Sequence, residues 1–358
     1  MIRVLNVISG LNNAGTEAVV MNYYRHIDRS KVQFDFLVLD ERENLYYEKE
    51  IEELGGRVFK IVNFRKNPLK NIIQRKSFFK KHANDFKVAE IHSPTAYRAP
   101  YCKLAKKFGI EKVVFHIHNT SSECGLLINN ARRIIDKYCD KTVTCSQYAA
   151  RSVLGKNADG VVLNAIEYDK YKFNSQIRSE VRAFYNIKEN ERVIGHIGRF
   201  SEQKNHTFLL EVFSQLVAND KSYKLILKGF GELKFKILKK VEELSIQDNV
   251  IIDDKYEAYQ LYSSFDLFVL PSLYEGLAVV AIEAQANSLK CIFSDRVSEE
   301  FDISGKNRFV ELNVKKWIDA VRETNFERIS SNFNFSLTGY DINEAAQNLQ
   351  NYYLGSNE

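Results

Sequence analysis

Short runs of β-branched and apolar residues alternate with helix-length segments along the chain, and the alternation runs its course twice. In the front half the runs are "IRVLNVIS" from Ile2, "FDFLVLD" from Phe34, "RVFKIV" from Arg57, "KVAEIHS" from Lys87, "KVVFHIHN" from Lys112, "KTVTCS" from Lys141 and "GVVLN" from Gly160. A polar, aromatic-dotted connector, "YDKYKFNSQ" from Tyr168, follows. The pattern then resumes with "RVIGHIG" from Arg192, "YKLILKG" from Tyr223, "NVIID" from Asn249, "DLFVLPS" from Asp266 and "KCIFSD" from Lys290. Strands separated by helices pair in parallel with helices on both faces. At 358 residues the chain also exceeds the length at which one core stops growing. These features predict an α/β protein of two Rossmann-like domains, residues 1–165 and 166–340.

Charge divides with the domains. Residues 1–165 hold 27 Lys and Arg against 17 Asp and Glu, a net +10, and the remainder holds 24 against 29, a net −5. A basic half suits a polyanion or an acidic membrane surface, or is simply a solvated face. Zinc-finger spacing and an aromatic RNA-binding signature are both missing, so no nucleic-acid partner is expected. No charge-free apolar run is long enough to span a bilayer, and "MIRVLNVISG" lacks the apolar core of a signal peptide. A cytoplasmic location is expected. Cys102, Cys124, Cys139, Cys145 and Cys291 are scattered without C-x-x-C and are read as reduced and structural.

In open α/β sheets ligands lie outside the carboxyl ends of the strands. The first run enters "SGLNNAGTEAVV", where Gly10 and Gly15 allow a turn and Thr16 can cap a helix from about Glu17. The loop does not fit G-x-G-x-x-G, and no nicotinamide fingerprint is present. The fifth run ends in "HIHNT", with His116 and His118 on one side of the strand. A strand-end histidine is more often structural than catalytic, and a metal pair is not expected because no third ligand is near in sequence. After Gly198, "RFSEQKNH" places Arg199 and Lys204 around a turn that opens a helix, a combination suited to a diphosphate. "LKGFGE" ends the next run with Gly229 and Gly231, either a close approach for a ligand or a plain turn.

The segment "EGLAVVAIEAQ" puts Glu275 ahead of a helix starting near Leu277, with Glu283 about two turns along it. The pair could be no more than one charge at the start of a buried helix and one at its edge. A nucleotide sugar offers the matching layout of sugar hydroxyls, diphosphate and ribose hydroxyls. Glu275 would take the sugar, the amides of Leu277, Ala278 and Val279 the diphosphate side, and Glu283 the ribose.

With the opening loop and "TEAVVMNYYRHIDRSKVQFDFLV", "HIHNT", "GHIGRFSEQKNH", "LKGFGE" and the paired Glu of "EGLAVVAIEAQ", the chain resembles the retaining GT-B glycosyltransferases of family 4, in particular bacterial enzymes of capsular and extracellular polysaccharide synthesis. The resemblance covers nearly the whole chain. It implies two Rossmann-like domains facing each other across a cleft, the acceptor on the first and the donor on the second, with a final helix, about 341–358, returning to the first. It implies catalytic roles for His118, Glu275, Arg199 and Lys204. The implied donor-binding set is Gly15, Arg199, Lys204, Gly229, Glu275, Gly276, Leu277, Ala278, Val279 and Glu283. No metal or other cofactor is expected; the substrates are a nucleotide sugar, expected to be a UDP-sugar, and a glycan or lipid-linked saccharide. "NNAGTE" in place of a double Gly, and "LNAIE" where Asn-Gly is common, depart from the pattern.

A nucleotide-sugar epimerase of similar fold is the alternative; it would alter a donor without any acceptor. The helical segment "PLKNIIQRKSFFKKHA" from Pro68 is expected to pack Leu69, Ile72, Ile73 and Phe79 on the sheet and to project Phe78 outward among Lys70, Arg75 and Lys81; the alternative is a solvated basic helix with Phe78 folded onto a neighbour. An exposed aromatic among cations is how a protein rests on an anionic bilayer, here the inner face of the cell membrane.

Overall fold

The computed structural model describes residues 1–12, 15–118, 126–275, 278–329 and 334–355. The chain forms two compact units, Met1–Ala165 with Gly339–Glu358, and Ile166–Thr338.

In the first unit seven strands are all parallel: β1 (Ile2–Ile8), β2 (Val32–Val38), β3 (Val58–Lys60), β4 (Val88–Ser93), β5 (Lys112–Ile117), β6 (Lys141–Thr144) and β7 (Gly160–Val161), in the order β3-β2-β1-β4-β5-β6-β7. The second unit repeats the scheme with β8 (Arg192–Ile197), β9 (Tyr223–Lys228), β10 (Val250–Asp253), β11 (Leu267–Leu270), β12 (Cys291–Ser294) and β13 (Arg308–Val310), in the order β10-β9-β8-β11-β12-β13. Central strands such as β2 and β11 are buried along their whole length, as parallel strands covered on both faces must be. Each sheet reverses its strand order once, between β1 and β4 and between β8 and β11. Those two switch points are where such sheets bind ligands.

The Ile342–Leu354 helix belongs to the first unit. Its Ile342, Ala346, Leu349 and Tyr353 join the core formed by Val20, Tyr24, Phe34 and Phe36. Asp341 caps its start by accepting from the Asn343 amide.

Two local expectations need correction, the cap of the opening helix and the buried face of the Pro68–His82 helix, and two further elements add to the reading. The opening helix begins at Gly15, which places Thr16 inside the first turn rather than at the cap. The connector is ordered: Tyr168–Tyr171 is one helical turn, and Ser175–Phe184 a helix capped by Asn174. Strand β13 was not anticipated, because three residues with an exposed Arg308 carry too little periodicity to register.

The Pro68–His82 helix forms, but it is rotated relative to expectation. Phe78 and Phe79 are buried, whereas Leu69, Ile72 and Ile73 are 75%, 42% and 69% exposed. Phe78 packs on Phe59 at 5.1 Å and on Phe86 at 6.3 Å, and Asn71 on the same side donates to the Val62 carbonyl at 2.7 Å. Two large rings and a satisfied buried amide outweigh three aliphatic side chains, since aromatics bury the most area. None of the described helices is long and apolar enough to cross a membrane.

Candidate active site

At the switch point of the second sheet, the loop after β8 meets the loop after β11. Lys204 Nζ lies 2.6 Å from Glu275 Oε1, and Gln203 Nε2 donates to Glu275 Oε2 at 3.1 Å and to the Tyr274 carbonyl at 2.9 Å. The backbone is tied as well: the Leu273 amide donates to the Gln203 carbonyl at 2.8 Å, and Asn205 Nδ2 to the Pro271 carbonyl at 3.3 Å. Side-chain exposures of 13% for Lys204 and 7% for Glu275 make this a largely desolvated ion pair. Both carboxylate oxygens are engaged, which meets the requirement that a buried charge be paired and hydrogen-bonded.

The glycines of these loops have packing reasons. A Cβ on Gly198 would come within 3.1 Å of the Lys204 stem, so the lysine lies across bare backbone. A Cβ on Gly229 would fall 2.0 Å from the Gly198 carbonyl oxygen. The glycine at 229 is therefore required by the protein's own chain, the plain-turn reading. Gly15 takes a left-handed φ of +55°, with no atom within 4 Å of a Cβ there.

Lys204 is followed by the His206–Asn219 helix, and Glu275 by the Val279–Ala286 helix, whose N-cap is Ala278. The first-turn amides of a helix lack intrahelical partners, so Ala278 and Val279 stand where such donors are expected. Gly276 and Leu277 lie outside the described residues.

Arg199 is not drawn into this cluster. It is exposed and pairs with Glu232 at 3.1 Å. Glu283 is partly buried and accepts from Tyr262 at 2.7 Å, with Tyr171 also hydrogen-bonded to it. Burial raises its pKa, while the two phenol donors act the other way.

In the first unit His118 follows β5 and is 9% exposed. It stacks on His116 with ring centroids 3.9 Å apart, so the two histidines do share a side. The neighbouring strand brings a third: His92 Nδ1 is 2.9 Å from His118 Nε2, and His92 Nε2 is 2.9 Å from Asn6 Oδ1. His116 Nδ1 lies 2.5 Å from Glu90, which also accepts from Tyr353. Burial pushes His92 down to about 3 and His118 well below its usual range. Burial works to raise Glu90, but the hydrogen bonds it accepts from His116 and Tyr353 help to hold it low, at about 2.

The nitrogens of His92, His116 and His118 lie within 4.8 Å of one another, so a third metal donor absent from the local sequence is present in space. Two of the nitrogens are hydrogen-bonded to each other, and the Arg98 guanidinium bonds the His92 carbonyl beside them.

Gln203, His92 and Asn6 were not foreseen. For His92 a signal existed: "EIHS" and "FHIH" both end strands, and the register pairs His92 with His116.

Known proteins share both halves. Residues 14–168 match the model "Glycosyltransferase Family 4", and residues 177–320 match "Glycosyl transferases group 1". The chain is 34% identical over 336 residues to "Putative glycosyltransferase EpsF" of Bacillus subtilis (strain 168), covering 90% of this chain and 86% of that one. The chain is a glycosyltransferase, with a family 4 domain in its first half and a group 1 domain in its second.

This glycosyltransferase is also 23% identical to the Escherichia coli UDP-Gal:alpha-D-GlcNAc-diphosphoundecaprenol alpha-1,3-galactosyltransferase, over 54% of this chain and 53% of that one. Its fold matches Anabaena Alr3699/HepE in complex with UDP and glucose, with a TM-score of 0.79 at 14% identity and full coverage of both chains. The fold is thus GT-B, two Rossmann-like α/β domains.

Proposed function

We propose that this glycosyltransferase moves a hexosyl unit from a UDP-sugar, with retention, to a hydroxyl of a lipid-linked saccharide in surface-polysaccharide synthesis. The observation that carries the reading is the Lys204–Glu275 pair, desolvated and placed at the carboxyl ends of β8 and β11. UDP in the HepE complex, and UDP-Gal with a diphosphoundecaprenol acceptor in the name of the E. coli relative, support the donor and acceptor classes.

Lys204 supplies a fixed positive charge to the diphosphate, which gains negative charge as the glycosidic bond breaks. Arg199 leaves Glu232 and joins it, an exchange that costs little because the Arg199–Glu232 pair is exposed. Glu275 receives sugar hydroxyls, Glu283 exchanges a tyrosine hydrogen bond for ribose hydroxyls, and the first-turn amides of Ala278 and Val279 meet phosphate oxygens.

Double displacement would need a free carboxylate nucleophile. Glu275 has an ammonium at 2.6 Å and an amide at 3.1 Å, which lower its nucleophilicity. Departure and attack on the same sugar face fit better, with the leaving phosphate taking the acceptor proton. Cationic side chains carry the charge, so transfer proceeds without a metal. A covalent glycosyl adduct on Glu275, trapped with a fluorinated donor and found by mass spectrometry, would overturn this mechanism.

The membrane face is the Pro68–His82 helix seen from its exposed side. Leu69, Ile72 and Ile73 stand free among exposed Lys66, Lys70 and Lys76, and Phe64 is 48% exposed. Such an apolar ridge in a cationic field matches an anionic bilayer, the source of a lipid-linked acceptor.

A further inference from the structure

Asn6, His92 and His118 form a chain of hydrogen bonds whose polarity follows from its first member. Asn6 Oδ1 faces His92 Nε2 at 2.9 Å, while Asn6 Nδ2 faces the Asp35 carbonyl at 3.5 Å. Rotating the amide would set two oxygens against each other, so the oxygen belongs on the histidine side. An amide oxygen only accepts, and His92 Nε2 therefore carries the proton. A neutral imidazole has one N–H, which leaves His92 Nδ1 as a lone pair. The 2.9 Å contact to His118 then requires His118 Nε2 to be the donor. By the same rule His118 Nδ1 is bare, and this buried atom has no hydrogen-bond partner among the described residues.

We infer that Asn6 and His92 are positioning residues that hold His118 in the Nε2–H tautomer, so that its Nδ1 accepts a hydrogen bond from a sugar hydroxyl of the substrate. This role rests on the proposed transferase function and narrows what His118 recognises. A bare nitrogen cannot hold a phosphate or carbonyl oxygen; it binds an O–H. It is also a poor proton store, surrounded by His116, His92 and Arg98 in a buried setting, which suits a reaction whose proton goes to the leaving phosphate.

The test is histidine side-chain 15N–1H correlation NMR on the full chain, with His118 assigned by its loss in His118→Gln. The expected pattern is a protonated Nε2 and a bare Nδ1, unchanged between pH 8 and pH 6. Asn6→Leu frees His92 to change tautomer and should shift the His118 pattern toward Nδ1–H. It should lower kcat/KM on the order of tenfold, the scale of one hydrogen bond, measured well below the variant's own melting temperature. A cationic or Nδ1-protonated His118 in the wild type overturns the inference whatever the substrate. The expected tautomer in a protein that transfers no sugar would count against the function alone.

Discussion

Replacing Lys204 by Ala should change two separable quantities. The substitution leaves Glu275, only 6% exposed, with Gln203 as its remaining partner. Breaking a buried ion pair from one side costs about 3–5 kcal/mol; the retained amide bond and residual exposure place this case near about 3 kcal/mol. For a domain in this size range that is a drop of roughly 6–12 °C in Tm. Turnover should fall by about 100- to 1,000-fold, as for loss of one preorganised charge stabiliser. The double variant Lys204→Met with Glu275→Gln removes both charges, so most of the Tm should return while turnover stays low. Stability is followed by scanning calorimetry, and turnover by release of nucleoside diphosphate at a temperature well below the lower Tm. A stable Lys204→Ala protein with wild-type turnover would refute the assignment. Recovery of activity in the double variant would do so too.

Glu275→Gln should lower turnover more than nucleotide affinity, and Glu283→Ala the reverse; equal UDP binding by calorimetry in wild type and Glu283→Ala would remove the ribose role. Flotation with anionic liposomes should weaken with salt and with Leu69→Ser plus Ile73→Ser, and equal flotation with neutral liposomes would contradict the electrostatic part. Phe78→Ala should instead cost about 3–5 kcal/mol of stability, because the ring is buried on Phe59 and Phe86. Stability should decline as pH falls below about 6.5. His92, His118, His196 and His206 are depressed chiefly by burial, to about 3 for His92 and about 4 for His206. In the unfolded chain these four titrate near 6.5, so it takes up protons that the native state refuses. Glu17 and Glu283, raised by burial, oppose this with two groups against four. A Tm that is flat or rising from pH 7.5 to 5.5 would contradict the assignment.

The strands were legible because parallel strands covered on both faces read as continuous apolar runs, and the six-residue β8, "RVIGHI", stands out against its flanks. Lys204 and Glu275 were legible for a different reason. They follow strands whose carboxyl ends the Rossmann order brings side by side. Gln203 was not, since an exposed-looking glutamine gains meaning only when its partner, 72 residues on, folds back to it. The Pro68–His82 helix misled because counting apolar residues on a wheel ignores what the opposite face can satisfy. Asn71 reaches the Val62 carbonyl, and this fixes the rotation. The histidine chain needed β4 and β5 to be paired in register before His92 could be seen beside His118.

The most direct test of the account is a thermal-shift series of the wild type and of Lys204→Met with Glu275→Gln against UDP, GDP, ADP and a panel of their sugars. UDP or a UDP-sugar at about 100 times its dissociation constant should stabilise the wild type by about 2.7 kcal/mol and leave the double variant almost unmoved. A wild type that responds to none of these ligands, or a double variant that responds as strongly, would contradict the claim that the Lys204–Glu275 pair holds a nucleotide-sugar donor.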